Sequence, residues 1–153
     1  MLMGSNLGDR KAHLRICLSR LAAIGNITAI SSVYETQSWG KNDQPNFLNQ
    51  AVAIQTTETP EDVLSLILAI EIELGRVRQE KWASRIIDID ILLFGNVIIN
   101  TEKLKVPHPY LPERRFALTA LAEIASDAIH PILNKSIQVL LNECNDRLEV
   151  VKI

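Results

Sequence analysis

With 153 residues, 47% of them apolar and 22% charged, the chain fits one globular domain able to bury roughly 70% of its unfolded surface. A net charge of −2 argues against a general nucleic-acid binder, and no run approaches the roughly 18 consecutive apolar residues of a membrane-spanning helix. Cys17 and Cys144 lie far apart and no signal peptide is visible, so a single domain over residues 1–153 with a buried free thiol, in a reducing cytoplasm, is expected.

Met1-Leu2-Met3 leaves little room for an opening strand, so either that strand is short or the natural chain starts further upstream, and Gly4-Ser5-Asn6 turns the chain. Asp9 is placed to cap a helix whose stripe is Leu14, Cys17, Leu18 and Leu21, ending near Gly25. His13 is off that stripe and is expected to face solvent. Ile27 to Glu35, rich in Ile, Thr, Ser, Val and Tyr, reads as one strand. Thr36 to Asn46 has no periodicity, and a loop of that length in a compact domain usually carries function.

Phe47 to Thr57 reads as the next strand. Phe47 and Asn49 are two apart and share a face, which sets an aromatic plate beside an amide. The pair suits a flat heterocycle, or it is simply a core aromatic and a polar strand end. Thr59-Pro60-Glu61-Asp62 then starts a helix with Thr as cap and Pro in the first turn. Its stripe is Val63, Leu66, Ile67, Ile70 and Leu74, and Gly75 closes it. Glu71 falls in the last turn, where the macrodipole disfavours a carboxylate, so a cation nearby is expected.

The following stretch holds the charge pattern. Arg76, Arg78, Lys81 and Arg85, with Trp82 among them, lead into a strand from Ile86 to Phe94. In a strand Ile87, Ile89 and Ile91 point one way, while Asp88 and Asp90 point the other, about 6.6 Å apart. Two carboxylates so close repel unless a cation lies between them, and hard divalent ions take such oxygens together with phosphate. Guanidinium forks suit phosphate. By pattern alone this is either a metal–polyphosphate site or a solvated loop before an exposed strand face, although Asp is disfavoured in strands.

Gly95-Asn96 turns the chain into a short strand at Val97 to Asn100. Three prolines break Val106 to Pro112 and restrict His108. Glu113 to Phe116 opens a helix with stripe Leu118, Leu121, Ala122 and Ala125. His130 is expected to be structural or exposed, Ser136 to Asn145 a last helix, and Arg147 to Ile153 an edge strand or tail. The order β, α, β, β, α, β with further helices is that of an α+β ferredoxin-like βαββαβ sandwich with additional C-terminal helices.

Lys81-Trp82-Ala83-Ser84-Arg85-Ile86-Ile87-Asp88-Ile89-Asp90-Ile91-Leu92 resembles the signature of the 6-hydroxymethyl-7,8-dihydropterin pyrophosphokinase family of folate biosynthesis. The resemblance extends to Gly4-Ser5-Asn6-Leu7-Gly8, Asp43 to Asn49, Glu71 with Gly75 to Arg78, and Val106-Pro107-His108 with Arg114. These segments keep the family's order along nearly the whole chain. Lys81 stands where relatives often have Arg, and the basic loop looks about one residue shorter than in some of them.

The resemblance implies an ATP- and Mg-dependent diphosphotransferase that moves pyrophosphate from ATP to the hydroxymethyl group of the dihydropterin and releases AMP. It implies Asp88 and Asp90 as ligands of two Mg²⁺ ions, and, with Arg76 and Arg85, as the catalytic set. Glu71, Arg78, Lys81, Trp82, Arg85, His108 and Arg114 would surround ATP. Phe47 and Phe116 would sandwich the pterin, while Asn49 and the segment carrying Thr36, Ser38 and Trp39 would read its edges. The loop from Arg76 to Ser84 is expected to close over nucleotide, and the chain to act as a monomer without nucleic-acid or membrane partners. A ligand-binding module on the same fold, or another Asp-x-Asp transferase without pterin dependence, would share the pattern.

Overall fold

The computed structural model describes residues 1–38, 44–76 and 85–153. Its elements in order are β1 (Leu2–Ser5), α1 (Arg10–Leu21), β2 (Asn26–Ile30), β3 (Tyr34–Thr36), β4 (Phe47–Gln55), α2 (Pro60–Glu73) and β5 (Asp88–Asp90). Then follow β6 (Ile99–Asn100), β7 (Lys105–Val106), a 3-10 turn (Leu111–Glu113), α3 (Arg115–Ala125), β8 (Ile129–His130), β9 (Lys135–Ser136), α4 (Ile137–Glu143) and β10 (Val150–Lys152). The main sheet runs β10-β3-β4-β1-β5, with β2 also on β4, and every pairing in it is antiparallel.

The alternation of side chains divides the core in two. On one face Met3, Leu48, Val52 and Ile89 pack with Leu14, Cys17 and Leu21 of α1 and Val63, Ile67 and Ile70 of α2. On the other, Leu2, Tyr34, Ala51 and Leu92 pack with Ala117, Leu118 and Leu121 of α3 and Ile137 and Leu140 of α4. The helix starts follow the sequence closely: Asp9, Thr59 and Ser136 each accept a first-turn N–H. Both cysteines are free and buried. Among the described residues, no helix is long and apolar enough to cross a membrane.

Five expectations are corrected. The single strand read over Ile27 to Glu35 is two, because Ser31 leaves the ladder: its Oγ accepts the N–H of Ala51 at 2.8 Å and its N–H bonds Ala51 O at 2.9 Å. The strand read from Ile86 to Phe94 keeps a ladder only at Asp88–Asp90, since β1 offers partners at Leu2, Met3 and Gly4 alone. Leu66 is 40% exposed, and Glu71, 2% exposed, takes a place on the buried stripe of α2 instead. His13 is half-buried beside Ser5, its Nδ1 3.4 Å from Ser5 Oγ. α1 also stops before Gly25, where a side chain would run into the carbonyl oxygen of Gln55.

Candidate active site

α3 covers only part of its sheet face. Past its N-terminus, a cavity of about 250 Å³ opens over Leu2, Gly4, Phe47, Asn49, Asp88 and Asp90. Register explains this floor: Asp88 lies opposite Gly4, Gly4 opposite Asn49, and Asn49 opposite Tyr34, so these side-chain positions form one row across four strands. Gly4 leaves that row open, because a Cβ there would lie 3.0 Å from Asn49 Oδ1 and press on it. Asn49 is buried and its Nδ2 donates to Thr36 Oγ1 at 2.8 Å. Thr36, Ser38 and Gln44 make one wall, and Arg114, Phe116 and the turn at His108 the other.

Cations surround the two aspartates. Asp88 is shared: Arg76 Nη1 lies 2.8 Å from its Oδ1, and Arg85 Nη1 2.5 Å from its Oδ2. Asp90 Oδ2 has Arg114 Nη1 at 3.3 Å and His108 Nε2 at 3.9 Å. Burial, then repulsion from Asp88, push the Asp90 carboxyl well above the usual carboxylate range, although Arg114 and Arg85 pull the other way. Burial, helped by Arg114, holds His108 down at about 4, so its ring is neutral at pH 7. Its Nδ1 accepts the N–H of Tyr110 at 3.2 Å, which leaves the ring hydrogen on Nε2, aimed toward Asp90.

Backbone chemistry explains why these groups meet. Gly75, at φ 91°, ends α2 with paired bonds, Gly75 N to Ile72 O and Arg76 N to Glu71 O. The reversal lays Arg76 against the Glu71 carboxylate and within reach of Asp88. Glu71 Oε1 also accepts the N–H of Ile89 at 2.8 Å, satisfying a buried amide of β5. On the other side, Asn6 Oδ1 accepts Arg85 N at 2.7 Å and its Nδ2 donates to Pro45 O at 3.3 Å. One amide thus fastens the entry to β5 and the end of the long loop after β3.

The described structure brings Thr36, Ser38, Phe47, Asn49, Arg85, Asp88, Asp90, His108, Arg114 and Phe116 to one cavity. Arg76 joins through Asp88, and Glu71 stands behind it, outside the lining. Trp39, Arg78, Lys81 and Trp82, with the loop expected to close, lie outside the described residues, apart from Arg76 at its start. Among the described residues no group of three or more His, Cys, Asp and Glu is placed to hold a metal.

Sequence reasoning missed a second cleft of about 200 Å³ that shares Asp90 and His108 with the first. Leu64, Ile67, Ile89, Ile91 and Leu104 line it, with Lys103 and Lys105. No local signal marks these residues, because they meet only when the β6–β7 hairpin lies beside α2 and β5. The sequence marks Asn6 as part of a turn and of the family's Gly4 to Gly8 segment, not as the residue that bonds Arg85 and Pro45.

A sequence model of the 7,8-dihydro-6-hydroxymethylpterin-pyrophosphokinase family matches residues 1–126. The 2-amino-4-hydroxy-6-hydroxymethyldihydropteridine pyrophosphokinase of Aquifex aeolicus is 42% identical over 136 residues, covering 89% of this chain and 85% of its own. The enzyme of that name from Bacillus subtilis is 48% identical over 124 residues, covering 80% of this chain and 74% of its own. In crystal structures of Plasmodium falciparum HPPK-DHPS, a triple mutant aligns with a TM-score of 0.72 at 19% identity over 93% of this chain. This chain spans 42% of that longer one, and the likeness concerns the fold.

Proposed function

The chain belongs to the 7,8-dihydro-6-hydroxymethylpterin pyrophosphokinase family, and we propose that the cavity over Asp88 and Asp90 is where it transfers pyrophosphate from ATP to 6-hydroxymethyl-7,8-dihydropterin in folate biosynthesis. The observation that carries this assignment is the single row Asp88–Gly4–Asn49, which sets a charged end and an amide end on one sheet face. Phe47 and Phe116 at the amide end would hold the flat pterin, and Asn49, Thr36 and Ser38 would read its edges. The pterin hydroxymethyl group then lies toward the aspartates.

ATP would enter from the second cleft. Its apolar lining suits a purine, Lys103 and Lys105 suit the polar end, and Asp90 with His108 connects the clefts, so the triphosphate crosses there. Arg76, Arg85 and Arg114 supply positive charge to the phosphates, and neutral His108 donates through Nε2. Arg78, Lys81 and Trp82 are assigned to the nucleotide on the family pattern alone.

The donor set fits Mg²⁺. Two hard carboxylates share a face, burial and then Asp88 hold Asp90 above its ordinary range, and the remaining ligands would be phosphate oxygens and water. Asp88 and Asp90 would hold two ions, which when bound neutralise charge on the triphosphate. In the transfer the pterin oxygen bonds the β-phosphorus and gives its proton to the carboxylate of Asp88 or Asp90 or to water, while the bond from that phosphorus to the α-phosphate oxygen breaks and AMP leaves with the electron pair. The side chains act by position and charge: the row fixes acceptor against donor, and the guanidiniums face the phosphates as negative charge shifts.

We further read the sheet order β5-β1-β4 with β2 and β3 beyond as a ferredoxin-like core, supported by α1 and α2 on one face. AMP release from ATP, measured with and without the hydroxymethyl dihydropterin, tests the function: release is expected only with the pterin and Mg²⁺ together. Pterin-independent release would contradict it.

A further inference from the structure

α3 begins without a cap of its own. Arg114, its N-cap residue, makes no capping bond and no acidic residue lies in the first turn. The acceptor comes from the far end of the chain: Asp146 Oδ2 takes the N–H of Arg115 at 3.1 Å. Asp146 Oδ1 takes the N–H of Leu148 at 3.0 Å, which fixes the carboxylate on its own turn. Arg115 stands between the two residues at the start of α3 that reach the cavity, the N-cap Arg114, 3.3 Å from Asp90, and Phe116.

We infer that Asp146 is a positioning residue for the transfer: capping α3 from outside the helix, it holds Arg114 against Asp90 and Phe116 in the cavity wall. Asp146 lies beyond the residues matched by the family, 1–126. The segment that carries it also secures the facing wall, because β10 follows and pairs Val150 with Thr36. Glu123 of α3 ties the two together, accepting from Tyr34 Oη at 2.8 Å and Lys152 Nζ at 3.0 Å. A carboxylate at this position both fills a first-turn donor and complements the helix dipole. Without it the first turn of α3 frays, and the two side chains lose their aim before the helix as a whole is lost.

The inference rests on the proposed site, and its test separates the two. Pterin-dependent AMP release and backbone amide exchange are measured for the full chain and for Asp146→Ala and Asp146→Asn. Asp146→Ala is expected to raise the pterin KM about five- to tenfold and to speed exchange at Arg115 to Leu118, while Asp146→Asn, which keeps an acceptor, stays near the parent in both. An unchanged KM in Asp146→Ala with only a lower Tm, or an Asn variant as impaired as the Ala variant, overturns the inference. If the Ala variant does not fold, Asp146→Glu, which keeps the charge but displaces the oxygens, is expected to raise KM by a smaller factor, and a parental KM there overturns the inference. Absence of pterin-dependent release in the unaltered chain would overturn the functional assignment instead, and unchanged exchange at Arg115 would then overturn the capping.

Discussion

Glu71 reaches from the last turn of α2 to accept the N–H of Ile89, the amide between Asp88 and Asp90 in β5. The same carboxylate pairs with Arg76, which in turn holds Asp88. Burial raises the Glu71 pKa, against the pull of Arg76 and the Ile89 amide. A buried acid therefore sets the height and charge of the acidic strand from behind. Glu71→Ala should cost about 3 kcal/mol in urea unfolding, since it strands a buried amide and half of an ion pair. Glu71→Gln, which keeps the acceptor, should cost less. Equal losses in the two variants would mean that the Ile89 bond contributes nothing.

Asp88→Asn and Asp90→Asn should each lower kcat/KM by on the order of 10²–10³ while leaving the circular dichroism spectrum unchanged, because neither side chain belongs to the apolar core. A variant that keeps full Mg²⁺-dependent turnover would remove its aspartate from the site.

The raised pKa of Asp90 couples protons to metal. The folded, metal-free chain holds a proton there that the unfolded chain has already lost, so its stability should fall as pH rises from the ordinary carboxylate range toward neutrality. Mg²⁺ with nucleotide binds the ionised form, so its affinity should rise over the same interval and binding should release a proton. Calorimetry in buffers of different ionisation enthalpy reads that proton directly, and a pH-independent affinity between about 5 and 8 would contradict the coupling.

His108 shifts the other way. With a folded value of about 4 against an unfolded value of 6.5, it favours the folded chain above pH 6.5, and that contribution is lost as pH falls toward 4. Magnetic resonance titration should find its ring neutral at pH 6. His108→Ala should weaken nucleotide binding about tenfold through the lost Nε2 donor, with little effect on the pterin. A ring that is charged at neutral pH would change its role from hydrogen-bond donor to cation.

Much of this arrangement was legible in the residues themselves. Alternation placed Asp88 and Asp90 on one face and Ile87, Ile89 and Ile91 on the other, and the caps at Asp9 and Thr59 and the stop at Gly75 are local signals. What escaped is non-local. Periodicity says which way a side chain points but not how long the neighbouring strand is, so it predicts a longer β5 than β1 allows. Ser31 has the pattern of any strand residue, and only its pairing with Ala51, through its N–H and its Oγ, shows the break. Asn6, Lys103, Lys105 and Asp146 act through partners distant in sequence, which no spacing rule reports. Glu71 was legible as a carboxylate in need of a cation, but not as the acceptor behind β5.

A crystal structure with Mg²⁺, a non-hydrolysable ATP analogue and the hydroxymethyl dihydropterin tests the central claim most directly. The expected result is metal oxygens at about 2.1 Å shared between the triphosphate and the carboxylates of Asp88 and Asp90, with the pterin between Phe47 and Phe116. A triphosphate lodged elsewhere, with both carboxylates still bound to Arg76, Arg85 and Arg114 alone, would contradict it.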